Sequence, residues 1–153
     1  MAFFPFSKRK DFFSPDEQNR IVNAIREAEQ QTSGEIRVYT ESRCRFVNPL
    51  DRAAELFWGL KMDHTKDRNG VLIYVAMKDH QFAILADQGI HEKVGQAFWE
   101  QEVAIMKSHF LSAHPAEAIE AVVTDVGKAL KTHFPYDRSN DKNELPDDMV
   151  FGK

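Results

Sequence analysis

Residues 64–75 read HTKDRNGVLIYV: charged and polar positions, one glycine, then an unbroken apolar stretch. An apolar run of that length, set off by a turn signal and containing β-branched residues, predicts a strand buried on both faces. The polar lead-in admits three readings: a phosphate cradle, a metal-ligand loop or a solvated turn. The first fails on order and composition. Phosphate-cradling loops are glycine-rich and follow a strand, whereas Lys66-Asp67-Arg68-Asn69-Gly70 carries one glycine and precedes one.

Working outward, Met77-Lys78-Asp79-His80 is a short turn, and Phe82, Ala83, Ile84 and Leu85 form an antiparallel returning strand that stops at Asp87-Gln88-Gly89. Upstream, Glu35-Ile36-Arg37-Val38-Tyr39-Thr40 alternates polar with apolar residues, which predicts a strand with one face on the core. Between these strands, Asn48-Pro49 opens a helix whose apolar side is Leu50, Ala53, Ala54, Phe57 and Trp58. That β-α-β crossover implies parallel pairing.

Ser14-Pro15-Asp16-Glu17 is a capping box ahead of a first helix, with Phe12 or Phe13 placed to staple its start. A longer helix runs from His91 with two apolar rows, Val94, Phe98, Ile105 and Trp99, Val103, Met106, Phe110. A last helix starts at His114-Pro115, buries Ile119, Val122, Val123, Val126 and Leu130, and ends at His133-Phe134-Pro135. The order predicts the α/β class: a three-layer α/β/α sandwich around a small mixed sheet of about three to four strands, flanked by helices. Residues 1–13 read as an N-terminal arm, 14–136 as one domain, and 137–153 as a polar, acidic tail that Leu145 and Met149-Val150-Phe151 would dock.

Composition narrows the function classes. The chain has 153 residues, 42% hydrophobic and 29% charged, with a net charge of −4. Its basic residues are scattered apart from Lys8, Arg9 and Lys10, so a nucleic-acid binder is not expected, because phosphate neutralisation needs a basic surface. The single cysteine, Cys44, excludes an intrachain disulfide and a multi-thiolate zinc site. Its neighbours Arg43 and Arg45 favour a thiolate; a small residue at a strand end is the other reading. MAFFPF does not read as a secretory signal, and no run reaches membrane-spanning length, so the expectation is a soluble, cytoplasmic monomer without a membrane segment. No Gly-x-Ser-x-Gly elbow is present, and the six histidines show no metal-protease spacing.

Topology brings the polar residues together. Parallel strands start at one sheet edge, and the antiparallel return strand ends there. Glu35, Asp67, Asn69 and Asp87 therefore converge on that edge, as hard-oxygen ligands suited to Ca²⁺ first and Mg²⁺ second. Asp63, His64, Lys66 and Arg68 are auxiliary: His64 is placed to carry a proton, and Lys66 or Arg68 to add positive charge. The same residues are ordinary turn formers, and both readings stand at this point.

Taken in order, SGEIRVYTES, LFWGLKMDHTKDRNGVLIYVAM through QFAILADQGI, FWEQEVAIMKSHF and FPYDRSNDKNELPDD resemble the TPM domain family over residues 15–150. The resemblance implies an α/β/α sandwich, a divalent-metal site, usually Ca²⁺, in the loops at one sheet edge, and the acid phosphatase activity credited to plant relatives. It matches Glu35 to the Glu that opens the first strand in relatives, and the polar loop before the second strand and the end of the third strand to the functional edge. Where many relatives carry Gly-x-Gly at the end of the third strand, this chain has Asp87-Gln88-Gly89. The expected partner is a phosphorylated substrate or a partner protein. The alternative is a non-catalytic calcium-binding or protein-interaction module, favoured by the absence of a nucleophile–base pair at a defined spacing.

Overall fold

The structure, a computed structural model, describes residues 12–112, 114–136 and 150–151. The apolar run forms β2 (Gly70–Ala76), which is buried along its whole length. It pairs in parallel with β1 (Glu35–Glu41), from Glu35 opposite Gly70 to Glu41 opposite Ala76. On its other side β3 (Gln81–Ala86) is antiparallel. β4 (Val150–Phe151) adds in parallel to the outer side of β1, giving a four-stranded mixed sheet of order β3-β2-β1-β4.

Among the described residues five helices cover this sheet: α1 (Pro15–Glu29), α2 (Pro49–Gly59), α3 (Gln88–Val94), α4 (Gln96–Leu111) and α5 (Pro115–His133). On one face Ile36, Val38, Val71, Ile73, Val75 and Ile84 pack with Ile21 and Ile25 of α1, Met106 of α4 and Ile119, Val122 and Val126 of α5. On the other, Leu72, Tyr74, Ala76 and Ala83 meet Ala53 and Phe57 of α2 and Met62 beyond it. The period of two in the strands divides their apolar residues between these faces, and this division makes the three layers. Ser14 and Glu17 close the expected capping box at the start of α1, and Phe13 is buried in the larger core.

Three local expectations change. β1 is buried on both faces: Glu35, Arg37 and Glu41 are all below 6% exposed, so its polar positions do not face solvent as the alternation predicted. The helix expected from His91 begins earlier and is two helices. Asp87 is the N-cap of α3, and Gly95, at φ 84°, ends α3 and starts α4, a backbone conformation that glycine adopts without a Cβ clash. On α2 only Ala53 and Phe57 are buried, whereas Leu50 and Trp58 are 43% and 56% exposed.

Val150 and Phe151 belong to the sheet, opposite Tyr39 and Thr40. The Lys8-Arg9-Lys10 cluster, Asn143-Glu144-Leu145-Pro146 and Met149 lie outside the described residues. No described helix is long and apolar enough to cross a membrane.

Candidate functional site

The edge at which β1 and β2 start is built from three connections. The first, between α1 and β1, is tied to the end of α5: the Ser33 amide donates to the Phe134 carbonyl at 3.1 Å, and Thr32 Oγ1 to the Leu130 carbonyl at 3.2 Å. The second, between α2 and β2, carries HTKDRNG. The third, between β3 and α3, carries Asp87. Backbone hydrogen bonds lace them into a row: the Glu35 amide donates to the Asn69 carbonyl at 3.3 Å, the Asp87 amide to the Gly70 carbonyl at 2.9 Å, and the Gly89 amide to the Arg68 carbonyl at 2.8 Å.

Within that row Glu35, Asn69 and Asp87 are 2%, 1% and 6% exposed, so all three are withdrawn from solvent. The Asp67 side chain is exposed, and its contribution to the edge is its backbone. His64 is exposed with Nε2 3.8 Å from Asp63 Oδ1, and Lys66 is exposed.

Arg68 decides the electrostatics. Its Nε donates to Asp87 Oδ2 at 2.6 Å and its Nη2 to Asp87 Oδ1 at 2.7 Å. The Gln88 amide donates to Oδ1 as well, at 2.8 Å, capping α3. The hydrogen bond to Asp87 raises the Arg68 pKa above its ordinary value. Arg68 adopts φ 53°, a left-handed conformation unfavourable for a residue with a side chain, and makes the bidentate pair from it. Sequence reading treated Arg68 as loose positive charge; its lock on Asp87 depends on a turn conformation that spacing does not reveal.

The donor set can be weighed against a divalent ion. Among the described residues, no group of three or more His, Cys, Asp or Glu side chains is placed to hold a metal. Asn69 Nδ2 donates to Ser33 Oγ at 3.2 Å, while the buried Asn69 Oδ1 has no hydrogen-bond partner. A buried acceptor left so forfeits about 1–3 kcal/mol, and a hard cation would relieve it. Asn69 thus fits a cation as it stands. Asp87 fits one only in exchange for the Arg68 guanidinium.

Comparison with known proteins places the chain in a family. The family model of the TPM domain matches residues 7–129. The chain belongs to the TPM domain family. Among solved structures, this TPM domain is similar to the BA42 protein of the psychrophilic bacterium Bizionia argentinensis, known from NMR. The two share 38% identity at a TM-score of 0.85, covering 94% of this chain and 97% of BA42. A search of curated proteins finds no match.

The opposite end of the TPM domain's sheet holds a cluster that sequence reading missed. Glu41, at the carboxyl end of β1, accepts from Arg52 Nε at 2.9 Å and Arg52 Nη2 at 3.0 Å, and from the buried Tyr74 hydroxyl. Arg52 also pairs with Glu55. Burial first, then the bond to Glu41, pushes the Tyr74 pKa up, and the bond to Glu41 does the same for Arg52. The available signal was Glu41's place in the β1 alternation; what connects it to Arg52 is the docking of α2. Glu41→Ala should lower stability in urea unfolding by about 3 kcal/mol, because it strands a buried hydroxyl and removes the Arg52 partner. Tyr74→Phe should cost only about 1 kcal/mol, since Arg52 still satisfies Glu41.

Proposed function

We propose that this TPM domain binds a divalent cation, Ca²⁺ before Mg²⁺, at the edge where β1 and β2 start, and acts there on a phosphomonoester. Glu35, Asn69 and Asp87 would hold the ion, with Asp67 joining from the solvent side. One observation carries the reading: the buried, unpartnered Asn69 Oδ1 in the same row as two buried carboxylates. A bound divalent ion supplies charge stabilisation to a phosphoryl oxygen. Arg68, once released from Asp87, presents a planar fork suited to a phosphate, Lys66 adds a second cation, and exposed His64 is positioned to move a proton. The substrate class comes from the family resemblance. The second reading is a non-catalytic calcium-binding or protein-interaction module; the closure of Arg68 on Asp87 favours its protein-interaction form, because Asp87 is then not free to hold an ion.

Calorimetric titration with CaCl₂ tests the site. Arg68→Ala should tighten binding by about tenfold by freeing Asp87. Asp87→Asn keeps an oxygen for the α3 cap and should abolish binding. No heat from wild type or Arg68→Ala would overturn the cation reading. Hydrolysis of p-nitrophenyl phosphate that chelator removes supports catalysis; Ca²⁺ binding without turnover selects the non-catalytic module.

A further inference from the structure

We infer that the carboxyl edge of the sheet carries a separate small-molecule site, shaped for a ligand with an aromatic ring and an anionic tail, such as a nucleoside monophosphate. An open cavity of about 870 Å³ lies there, and Tyr39, Glu41, Arg45, Phe46, Arg52 and Glu55 line it. That volume falls in the range of small-molecule pockets, and the carboxyl ends of parallel strands are where open α/β sheets place ligands.

The cavity wall is held in place. Asp79, from the turn between β2 and β3, accepts from Arg43 Nη1 at 2.9 Å and from the Cys44 amide at 2.8 Å, and Cys44 Sγ donates to the Phe46 carbonyl at 3.5 Å. Asn48 then caps α2 by accepting from the Leu50 amide at 2.9 Å. The loop between β1 and α2 is therefore anchored at both ends, and a ligand pays little to order it.

The lining divides by chemistry. Arg52 is committed to Glu41 and Glu55, and its guanidinium lies over the Tyr39 ring, 5.8 Å from its centre, so a cation–aromatic pair forms part of the cavity lining. Phe46, 36% exposed, offers a ring at the mouth for stacking. Among the described residues Arg45 enters no ion pair, and it is exposed, so its fork is available to an anion. Half-exposed Glu55 can accept from a sugar hydroxyl. A ring between Phe46 and the Tyr39–Arg52 pair with its anion on Arg45 uses each group once.

The site lies at the opposite end of the strands from Asp87 and needs no divalent ion, so it stands or falls apart from the proposed function. The test is a titration of the ¹⁵N-labelled full chain with AMP in EDTA, followed by amide chemical shifts. Shifts should concentrate in residues 39–46 and 52–55, with a Kd below about 1 mM. Adenosine and inorganic phosphate should each bind at least about fivefold more weakly than AMP, since each supplies half of the contacts. Arg45→Glu should weaken AMP by about tenfold with unfolding temperature unchanged, because that side chain is exposed, and Phe46→Ala should weaken it by about fivefold with the fold retained. Absent or scattered shifts at saturating AMP, or an unchanged Kd in both variants, would overturn the proposal.

Discussion

Gly89→Ala should lower the stability of this TPM domain by about 3 kcal/mol or more, read as a leftward shift of the urea midpoint. A Cβ at position 89 would sit 2.0 Å from the Asp67 carbonyl oxygen and 2.6 Å from that of Arg68. Both are backbone atoms, so no rotamer change relieves the contact. The Arg68 carbonyl is also the acceptor of the Gly89 amide, which means that moving the loop away breaks the bond holding it. α3 and the HTKDRNG loop would separate together, and with them the Arg68–Asp87 pair. An unchanged midpoint would show that the two backbones do not meet as closely as described. The effect connects the glycine of Asp87-Gln88-Gly89 to the candidate site: its role is to let one loop lie directly on the other.

Glu102→Gln should raise stability at alkaline pH and flatten its pH dependence. Glu102 lies on α4, 3% exposed, with Oε1 lacking a hydrogen-bond partner. Burial first, then the charge of Asp125 on α5, pushes its carboxyl from 4.5 up to about 8. The folded chain therefore keeps a proton that the unfolded chain releases at lower pH. The resulting stabilisation is fully present below pH 4.5 and is lost as pH rises through about 8. Wild type should lose about 2 kcal/mol or more between pH 5 and pH 9 from this group, whereas the Glu102→Gln variant holds its stability across that range. Urea unfolding at the two pH values checks it, and a wild-type profile identical to that of the variant would refute the assignment.

Much of the architecture was legible because it rests on local periodicity. Val71 to Ala76 had to be a doubly buried strand, and the Ser14–Glu17 box had to start a helix; both appear as read. The misread boundary at His91 has a clear cause. Asp87-Gln88-Gly89 carries turn residues, but Asp87 is also an N-cap, and a single sequence does not distinguish the two uses. The break at Gly95 was hidden for a similar reason: the apolar rows on either side of it continue at helical spacing. Leu50 and Trp58 satisfied an apolar stripe on α2, yet α2 packs through Ala53 and Phe57 and leaves the other two to solvent.

The candidate site divides along the same line. Strand direction alone was enough to put Glu35, Asn69 and Asp87 at the same edge of the sheet, because parallel starts and an antiparallel end must coincide. It could not show that Asp67 would face outward, that Arg68 would turn left-handed and close on both oxygens of Asp87, or that Asn69 Oδ1 would be buried without a partner. Those outcomes depend on side-chain direction and on which loop lies against which. The amino-acid order therefore determined the layers, the strand directions and the edge at which the polar residues gather. Only the tertiary structure decided which of their atoms are already satisfied, because hydrogen-bond partners far apart in sequence are chosen by packing and not by periodicity.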